Sequence, residues 1–268
     1  MCDMFTHLAL LPLFLLRCVM FLPLAAGSVD GPPAYSVPAG APAGLPGGGT
    51  VVSDGLAYTV STPQGPFYVW APADYDVATA AVVYYVHGYN RTVDSSWIRG
   101  ALPAQFHASA RNALFIAPEA PIDTNAPLTF PRLADLEASV RAAGFTLPTG
   151  PRVAIGHSGA YRLVASWLGQ ATFSRVILLD ALYGGDETFA KYATTGRLVL
   201  VSRCTARQAQ AFTRRFPDAR GRADVPATAE AFTPAERDAR LLTFGTHLDH
   251  AGINDSGQVM PVLLQLAI

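Results

Sequence analysis

The sequence predicts an α/β fold: a mostly parallel central sheet with a leading antiparallel hairpin, covered by helices on both faces. Residues 50–268 alternate between short apolar runs and longer segments with a helical pattern, and repeated strand–helix units build parallel sheets. The first two runs are joined by a short turn containing Pro63 and Gly65, which predicts the hairpin. Hydrophobic residues make up 50% of the 268-residue chain, so a large core can form.

The elements follow in order from the apolar runs and from residues that begin or end helices. AVVYYV at 81–86 is apolar throughout and rich in β-branched and aromatic residues, as in a strand buried on both faces. Pro103 suits the first turn of a helix, and Gly144 and Gly196 suit helix ends. Strands are predicted over 56–61, 67–71, 81–86, 113–117, 152–155, 176–179, 198–201 and 240–244. Helices are predicted over 102–110, 131–143, 159–169, 186–195, 206–216 and 258–268, with 217–235 irregular.

Residues 1–27 are predicted to be a leader, either a cleaved signal peptide or an uncleaved membrane anchor. Residues 8–26 are strongly apolar, and the small residues at 25–27 suit cleavage directly after them. Asp3 and Arg17 depart from the usual signal pattern. An uncleaved membrane anchor is therefore an alternative, because about 20 apolar residues can cross a bilayer.

Residues 28–49 are predicted to be a linker between this leader and a domain that spans 50–268. Gly and Pro occupy 11 of the 19 positions in 31–49, a composition typical of flexible or extended tethers. We therefore expect the domain to be exported, as a periplasmic, secreted or membrane-anchored protein. Association with a membrane is expected only through the N-terminal segment.

The charge balance excludes one large class of partner. The net charge is −1 and charged residues make up 15% of the chain. A protein that neutralises a nucleic-acid backbone needs a strongly basic surface, so we expect no nucleic-acid partner.

The segment VAIGHSGA, residues 153–160, is the main candidate for chemistry. An apolar strand leads into Gly156-His157-Ser158-Gly159-Ala160, and a predicted helix follows. Such a turn holds a serine in a strained conformation, and small residues two before and two after it relieve the crowding. Gly156 and Ala160 occupy those places, although the usual residue at the second is glycine. The pattern predicts Ser158 as a nucleophile and His157 as a packing residue of the turn.

With this motif in place, residues 50–268 resemble the α/β-hydrolase superfamily. Its members carry a serine, then an acid, then a histidine in chain order. The resemblance implies a serine hydrolase of the esterase or lipase type. It also implies that the base lies in the loop after the last strand, where this chain has both His247 and His250. We favour His250 because it is closer to the final helix, and His247 stays an alternative.

Of the acidic residues between Ser158 and the late histidines, Asp180 is the candidate acid because it ends a predicted strand, whereas others, among them Asp218, Asp224 and Asp238, lie on predicted helices or irregular segments. It ends the apolar run VILLD, and sites in such sheets form at the carboxyl ends of the strands. Many superfamily members carry the acid after the next strand, but here 198–201 leads into Ser202, Arg203 and Cys204, with no carboxylate. The chain resembles the variant in which the acid comes one strand earlier.

An oxyanion hole is implied by the turn that follows the buried strand 81–86. That strand leads into His87-Gly88-Tyr89, and in the superfamily the residue after such a glycine supplies a backbone N–H. The second N–H comes from the residue after the nucleophile. These two donors correspond to Tyr89 and Gly159.

The sequence therefore predicts an exported serine hydrolase that cleaves an ester bond through a Ser158–Asp180–His250 triad and an acyl-enzyme. Its expected partner is a small-molecule or acyl ester substrate, and the chemistry requires neither a metal nor an organic cofactor. A peptidase or acyltransferase on the same fold, or a non-catalytic exported binding module, are the alternatives. A dinucleotide-binding protein is excluded, because the first strand–helix turn lacks the GxGxxG pattern.

Overall fold

The computed structural model describes residues 42–268, in which ten strands form one mixed sheet. The order across the sheet is β1-β2-β3-β5-β4-β6-β7-β8-β10-β9. Pairing is antiparallel from β1 to β5 across β2 and β3, and parallel from β5 across to β9. The strands are β1 (Thr50–Val52), β2 (Gly55–Val60), β3 (Phe67–Pro72), β4 (Ala81–Val86), β5 (Ala113–Pro118), β6 (Arg152–His157), β7 (Arg175–Leu179), β8 (Arg197–Val201), β9 (Arg220–Arg222) and β10 (Leu241–Phe244). The predicted fold class is confirmed.

Helices cover both faces of this sheet. The helices of the described residues are α1 (Val93–Arg99), α2 (Leu102–Ala108), α3 (Leu133–Ala142), α4 (Tyr161–Trp167), α5 (Asp186–Ala193), α6 (Ala206–Thr213), α7 (Pro234–Asp238), α8 (Gly252–Asp255) and α9 (Met260–Ala267). Buried side chains of α3, α4, α5 and α6 form the core on one face, and those of α1, α2, α8 and α9 form the core on the other.

β4 shows why the apolar runs become central strands. All six of its residues are buried, with Tyr84 in the core on one face and Tyr85 in the core on the other. Fully burying a large apolar side chain contributes roughly 1.5–3 kcal/mol, so a strand that is apolar on both sides is most stable between two helix layers.

The prediction that residues 217–235 are irregular is wrong in part. Arg220–Arg222 forms β9, which pairs parallel with β10, and Pro234 begins α7 instead of ending a loop. The three residues of β9 have no apolar pattern, and their strand conformation comes from backbone pairing at the sheet edge. Pro234 is tolerated because the N–H that a first helical residue would donate has no partner within the helix.

The carboxyl ends of β4, β6, β7 and β10 lie at one edge of the sheet. β4 and β6 are neighbours, yet the chain leaves β4 toward α1 on one face and leaves β6 toward α4 on the other. Such a divergence opens a crevice above the strand ends, and this is where open α/β sheets bind ligands.

The predicted leader, residues 1–27, and most of the predicted linker lie outside the described residues. The described end of that linker contacts the domain: the Tyr58 hydroxyl donates to the Pro46 carbonyl at 3.0 Å, and the Thr146 N–H donates to the Gly44 carbonyl at 2.8 Å. Within residues 42–268, no helix has the length and apolar character needed to cross a bilayer.

Candidate active site

Ser158 lies in a strained turn at the end of β6. It begins a short 3₁₀ turn, Ser158–Ala160, that leads directly into α4, and its φ is 54°. A non-glycine residue in this left-handed region costs on the order of 1 kcal/mol, so the surrounding packing must hold it there. A Cβ at Gly156 would lie 3.0 Å from Val164 and 3.2 Å from the Ala160 methyl group. The missing side chain at Gly156 therefore makes room for Ala160, the departure from the usual glycine.

Ser158, His250 and Asp180 form one chain of hydrogen bonds. His250 Nε2 lies 2.9 Å from Ser158 Oγ, and His250 Nδ1 lies 2.7 Å from Asp180 Oδ2. Because an ionised carboxylate only accepts hydrogen bonds, Nδ1 carries the proton and Nε2 is the acceptor for the Ser158 hydroxyl. Ser158 is 6% exposed, whereas 31% of the His250 side chain reaches the surface.

Asp180 is fully buried directly after β7 and has a φ of 47°. Its Oδ1 accepts the N–H groups of Arg203 and Thr205 and the Thr205 hydroxyl, and its Oδ2 accepts the Cys204 N–H. Burial by itself would raise the pKa of this carboxyl, but His250 and the three backbone N–H groups outweigh burial and hold the pKa well below its ordinary value. The carboxylate is therefore ionised and oriented at neutral pH.

His247 belongs to a different arrangement. Its Nδ1 is hydrogen-bonded to Asp224, and its side chain is 70% exposed. The two residues line a cavity of about 630 Å³ together with residues of α9 and of the segment 225–230. Burial would raise the pKa of Asp224, but His247 and the Val225 N–H lower it overall.

The turn after β4 lies against the Ser158 turn. A Cβ at Gly88 would lie 2.6 Å from the Ser158 Cβ, and a Cβ at Gly159 would lie 2.4 Å from the Tyr89 ring. Both glycines are therefore needed for this close approach. Among residues 42–268, the backbone N–H groups of Tyr89 and Gly159 donate to no protein acceptor.

His87 fixes the turn after β4 through hydrogen bonds of both ring nitrogens. Its Nδ1 lies 2.9 Å from the Gly88 carbonyl, and its Nε2 lies 2.7 Å from Glu119, which follows β5. Burial would raise the pKa of Glu119, but His87 and the N–H groups of Val93 and Ala120 lower it overall. Glu119 thus joins the turn after β4 to the start of α1.

His157 supports the backbone of His250. Its Nε2 donates to the His250 carbonyl at 2.9 Å, and its Nδ1 is buried without a partner among the described residues. Burial, and then the nearby His250, lower the pKa of His157 to about 4. His157 is therefore neutral at pH 7, and it positions the His250 loop in addition to packing in the turn.

We expect His157 to make the fold acid-sensitive. The unfolded chain takes up a proton near pH 6.5, but the folded protein does so only near 4, so the free energy of unfolding falls as the pH drops through this window. The loss is about 3 kcal/mol at 1.36 kcal/mol per pKa unit. Urea unfolding at pH 7 and at pH 4 measures it.

His157→Gln keeps an N–H donor but does not titrate, so its stability should fall less between these pH values. The control is His107→Gln, which makes the same substitution at an exposed side chain that lies 3.8 Å from Asp54. Equal pH dependence in wild type and His157→Gln would contradict the expectation.

One group of potential metal ligands occurs among the described residues. Ligand atoms of Asp180, Cys204 and His250 lie within 4.8 Å of one another, but Cys204 forms a disulfide bond, so its sulfur is not a thiolate that could bind a metal. The Asp180 oxygens and both His250 nitrogens already have the protein partners described above. The hydrogen-bond chain and a metal would therefore compete for the same atoms.

Comparison with known proteins gives structural relatives only. No family model matches the chain, and no curated protein matches it. Its structure aligns with an S-formylglutathione hydrolase from Staphylococcus aureus at a TM-score of 0.53 and 13% identity, covering 82% of this chain and 99% of that chain. It aligns equally well, at 0.53 and 11% identity, with carboxyl esterase 2 from Tuber melanosporum, covering 88% and 93%, and with a ferulic acid esterase, covering 80% and 98%. The chain has the α/β-hydrolase fold.

Within this α/β-hydrolase fold, two residues that hold site side chains in place were not predicted from the sequence. Glu119 holds His87, and Thr205 donates twice to Asp180. Glu119 follows an apolar strand just as Asp180 does, so the rule that singled out Asp180 also applies to Glu119. Thr205 carries no comparable signal, because its contact with Asp180 spans 25 residues.

Proposed function

We propose that this protein is a serine hydrolase that cleaves carboxylic esters through an acyl-enzyme. The observation that carries the proposal is the position of His250 between Ser158 Oγ, 2.9 Å from Nε2, and Asp180 Oδ2, 2.7 Å from Nδ1. A nucleophile, a base within hydrogen-bond reach and a third group that orients the base are the requirements of this chemistry.

In the first half of the reaction, Ser158 Oγ attacks the acyl carbon and its proton passes to His250 Nε2. The Asp180 carboxylate stabilises the imidazolium that forms. The unpartnered N–H groups of Tyr89 and Gly159 are the donors for the developing oxyanion, a contribution of about 3–4 kcal/mol for one such donor. The imidazolium then gives its proton to the departing alcohol.

In the second half, water replaces the alcohol. His250 takes a proton from the water, whose oxygen attacks the acyl carbon, and the carboxylic acid leaves as Ser158 regains its proton. A peptidase or acyltransferase would use the same groups with a different leaving group or acceptor. Measured substrate preference decides between them.

The surroundings of Ser158 favour esters with short acyl chains. Tyr183, 38% exposed, places its ring 6.3 Å from the His250 ring, and Ile122, 50% exposed, accepts a hydrogen bond from the Asn90 N–H through its carbonyl. Tyr183 therefore offers apolar contact at the surface beside His250, and Ile122 offers an exposed apolar side chain next to the turn that carries Tyr89. Residues 202–240 fold into α6, β9 and α7, so this part of the described chain contains no separate cap to enclose a long chain.

The test is turnover of p-nitrophenyl esters of rising chain length by the purified protein. We expect kcat/KM to reach its highest value between acetate and hexanoate and not to increase for longer chains up to dodecanoate, because a longer chain finds no further apolar surface to bury. A maximum at dodecanoate or longer would contradict the short-chain assignment. Faster cleavage of the matching p-nitroanilides would favour a peptidase.

We also propose that the domain is exported, on the strength of the apolar segment 8–26 and the Gly/Pro-rich segment 31–49. Fractionation of cells that express the full chain with a C-terminal tag measures this. The tag is expected in the membrane, periplasmic or extracellular fraction. A stable pool of full-length protein in the cytoplasm would refute export.

A further inference from the structure

His250 lies on a loop between β10 and the single-turn helix α8. Its imidazole is held by Asp180, but the loop needs support from elsewhere to keep the ring within 2.9 Å of Ser158 Oγ. Misplacing a reacting group by about 1 Å can cost a factor of about 10² in rate. The contacts that fix the ends of this loop therefore matter for chemistry as well as for folding.

A forked ion pair ties α8 to the turn after β4. Arg91 Nη1 donates to Asp255 Oδ1 at 2.8 Å, and Arg91 Nη2 donates to Asp255 Oδ2 at 2.6 Å. The side chains are 17% and 25% exposed. Two parallel bonds of this kind fix orientation as well as distance, which one point contact does not.

The two partners of this ion pair lie in the two segments that carry the proposed oxyanion donor and the base. Arg91 comes two residues after Tyr89, whose N–H we assign to the oxyanion, and Asp255 comes five residues after His250. The pair therefore joins the segment that carries an oxyanion donor to the segment that carries the base. Neither side chain lies in the hydrogen-bond chain of Ser158, His250 and Asp180.

A buried asparagine, Asn254, fixes the position of the Asp255 carboxylate. The Asn254 side chain donates to Asp255 Oδ1 at 2.7 Å and accepts from the Tyr85 hydroxyl at 2.8 Å. The backbone carbonyl of Asn254 accepts from the Gln105 side chain at 2.8 Å. Asn254 is fully buried. Tyr85 belongs to β4 and Gln105 to α2, so the carboxylate is fixed to the sheet and to the helix layer.

We propose that the Arg91–Asp255 ion pair is a positioning clamp that sets the distance between the oxyanion turn and His250. The assignment rests on the proposed function, since it gives the Tyr89 N–H and His250 their roles. The clamp acts through these groups and contacts neither Ser158 nor the acyl group. The clamp therefore stabilises the transition state, in which the oxyanion donor and the base act together, and contributes little to binding of the substrate in the ground state.

The test compares Arg91→Met and Asp255→Asn with wild type. We expect kcat to fall about 10- to 100-fold in each, with KM within about twofold. The double variant should be no slower than either single variant, because both remove the same interaction. Arg91→Lys should recover part of kcat, since an ammonium keeps the charge but not the fork.

The control is Arg152→Met. Arg152 forms a partly buried ion pair with Glu137 at the start of β6, the opposite end of the strand that leads to Ser158. This variant should lose stability and keep kcat. An Arg91→Met variant that loses stability and also keeps kcat would overturn the clamp, and Asp255→Asn decides the matter if Arg91→Met fails to fold.

A second readout does not depend on turnover. The proton that His250 Nδ1 shares with Asp180 should give a downfield NMR signal in wild type and in Arg152→Met. In folded Arg91→Met or Asp255→Asn we expect this signal to broaden or disappear, and its persistence would overturn the clamp. If the wild type hydrolyses no ester, the proposed function fails while this signal still decides whether the ion pair positions His250.

Discussion

Ser158→Ala is expected to lower kcat for p-nitrophenyl esters by a factor of roughly 10⁴ or more while the protein stays folded. The variant keeps the backbone of the strained turn and loses only the hydroxyl that donates to His250 Nε2. Loss of one such hydrogen bond changes the free energy of unfolding by about 1 kcal/mol. Turnover with the short-chain esters, together with thermal unfolding, measures both effects.

A matched control is Ser202→Ala. Ser202 is a buried serine directly after β8, at the same edge of the sheet, and the hydrogen bonds of the His250 ring go to Ser158 and Asp180 instead. A fluorophosphonate probe should label wild type and Ser202→Ala on the peptide that contains Ser158, and should not label Ser158→Ala. Labelling at another serine, or normal turnover by Ser158→Ala, would refute the nucleophile assignment.

His250→Ala should cost a factor of roughly 10³ or more in kcat, whereas His247→Ala should leave kcat within about twofold of wild type. The two variants form a matched pair, because they remove the same side chain three positions apart. His250 contacts Ser158 and Asp180, and His247 contacts Asp224 at the surface. If His247→Ala is inactive and His250→Ala is active, the base is His247 and the hydrolase proposal survives.

Asp180→Asn should be severely impaired as well. Each carboxylate oxygen accepts at least one backbone N–H, so an amide placed there points an N–H at another N–H. We expect this to cost about 1–3 kcal/mol of stability besides the loss of support for the imidazolium. Activity is therefore compared at a temperature where circular dichroism shows the variant folded.

The double variant His250→Ala, Asp180→Asn separates these two roles of Asp180. Groups that act as one catalytic unit are not additive, so the double variant should be hardly slower than His250→Ala alone. Multiplying losses would mean that Asp180 acts on stability only. The acid would then have to be sought among Asp218, Asp224 and Asp238.

Features that depend on neighbouring residues could be predicted from the sequence. AVVYYV is apolar at every position, and such a run is most stable between two helix layers, as found for β4. The run VAIGHSGA specifies a strand and a tight turn that leads into a helix, and the structure has β6, the turn Ser158–Ala160 and then α4 from Tyr161. β9 shows the limit of this reasoning, because Arg-Gly-Arg becomes a strand only through pairing with β10.

Only the tertiary structure decides which distant side chains meet. Spacing places His247 and His250 in the same loop, but the path of that loop brings His250, 92 residues away, to Ser158 and turns His247 toward Asp224. The Arg91–Asp255 pair spans 164 residues and has no local signal in either segment. The reason is physical: a local pattern sets the conformation of a segment through its own backbone and neighbours, whereas contacts between segments depend on strand order and on the face to which each loop leads.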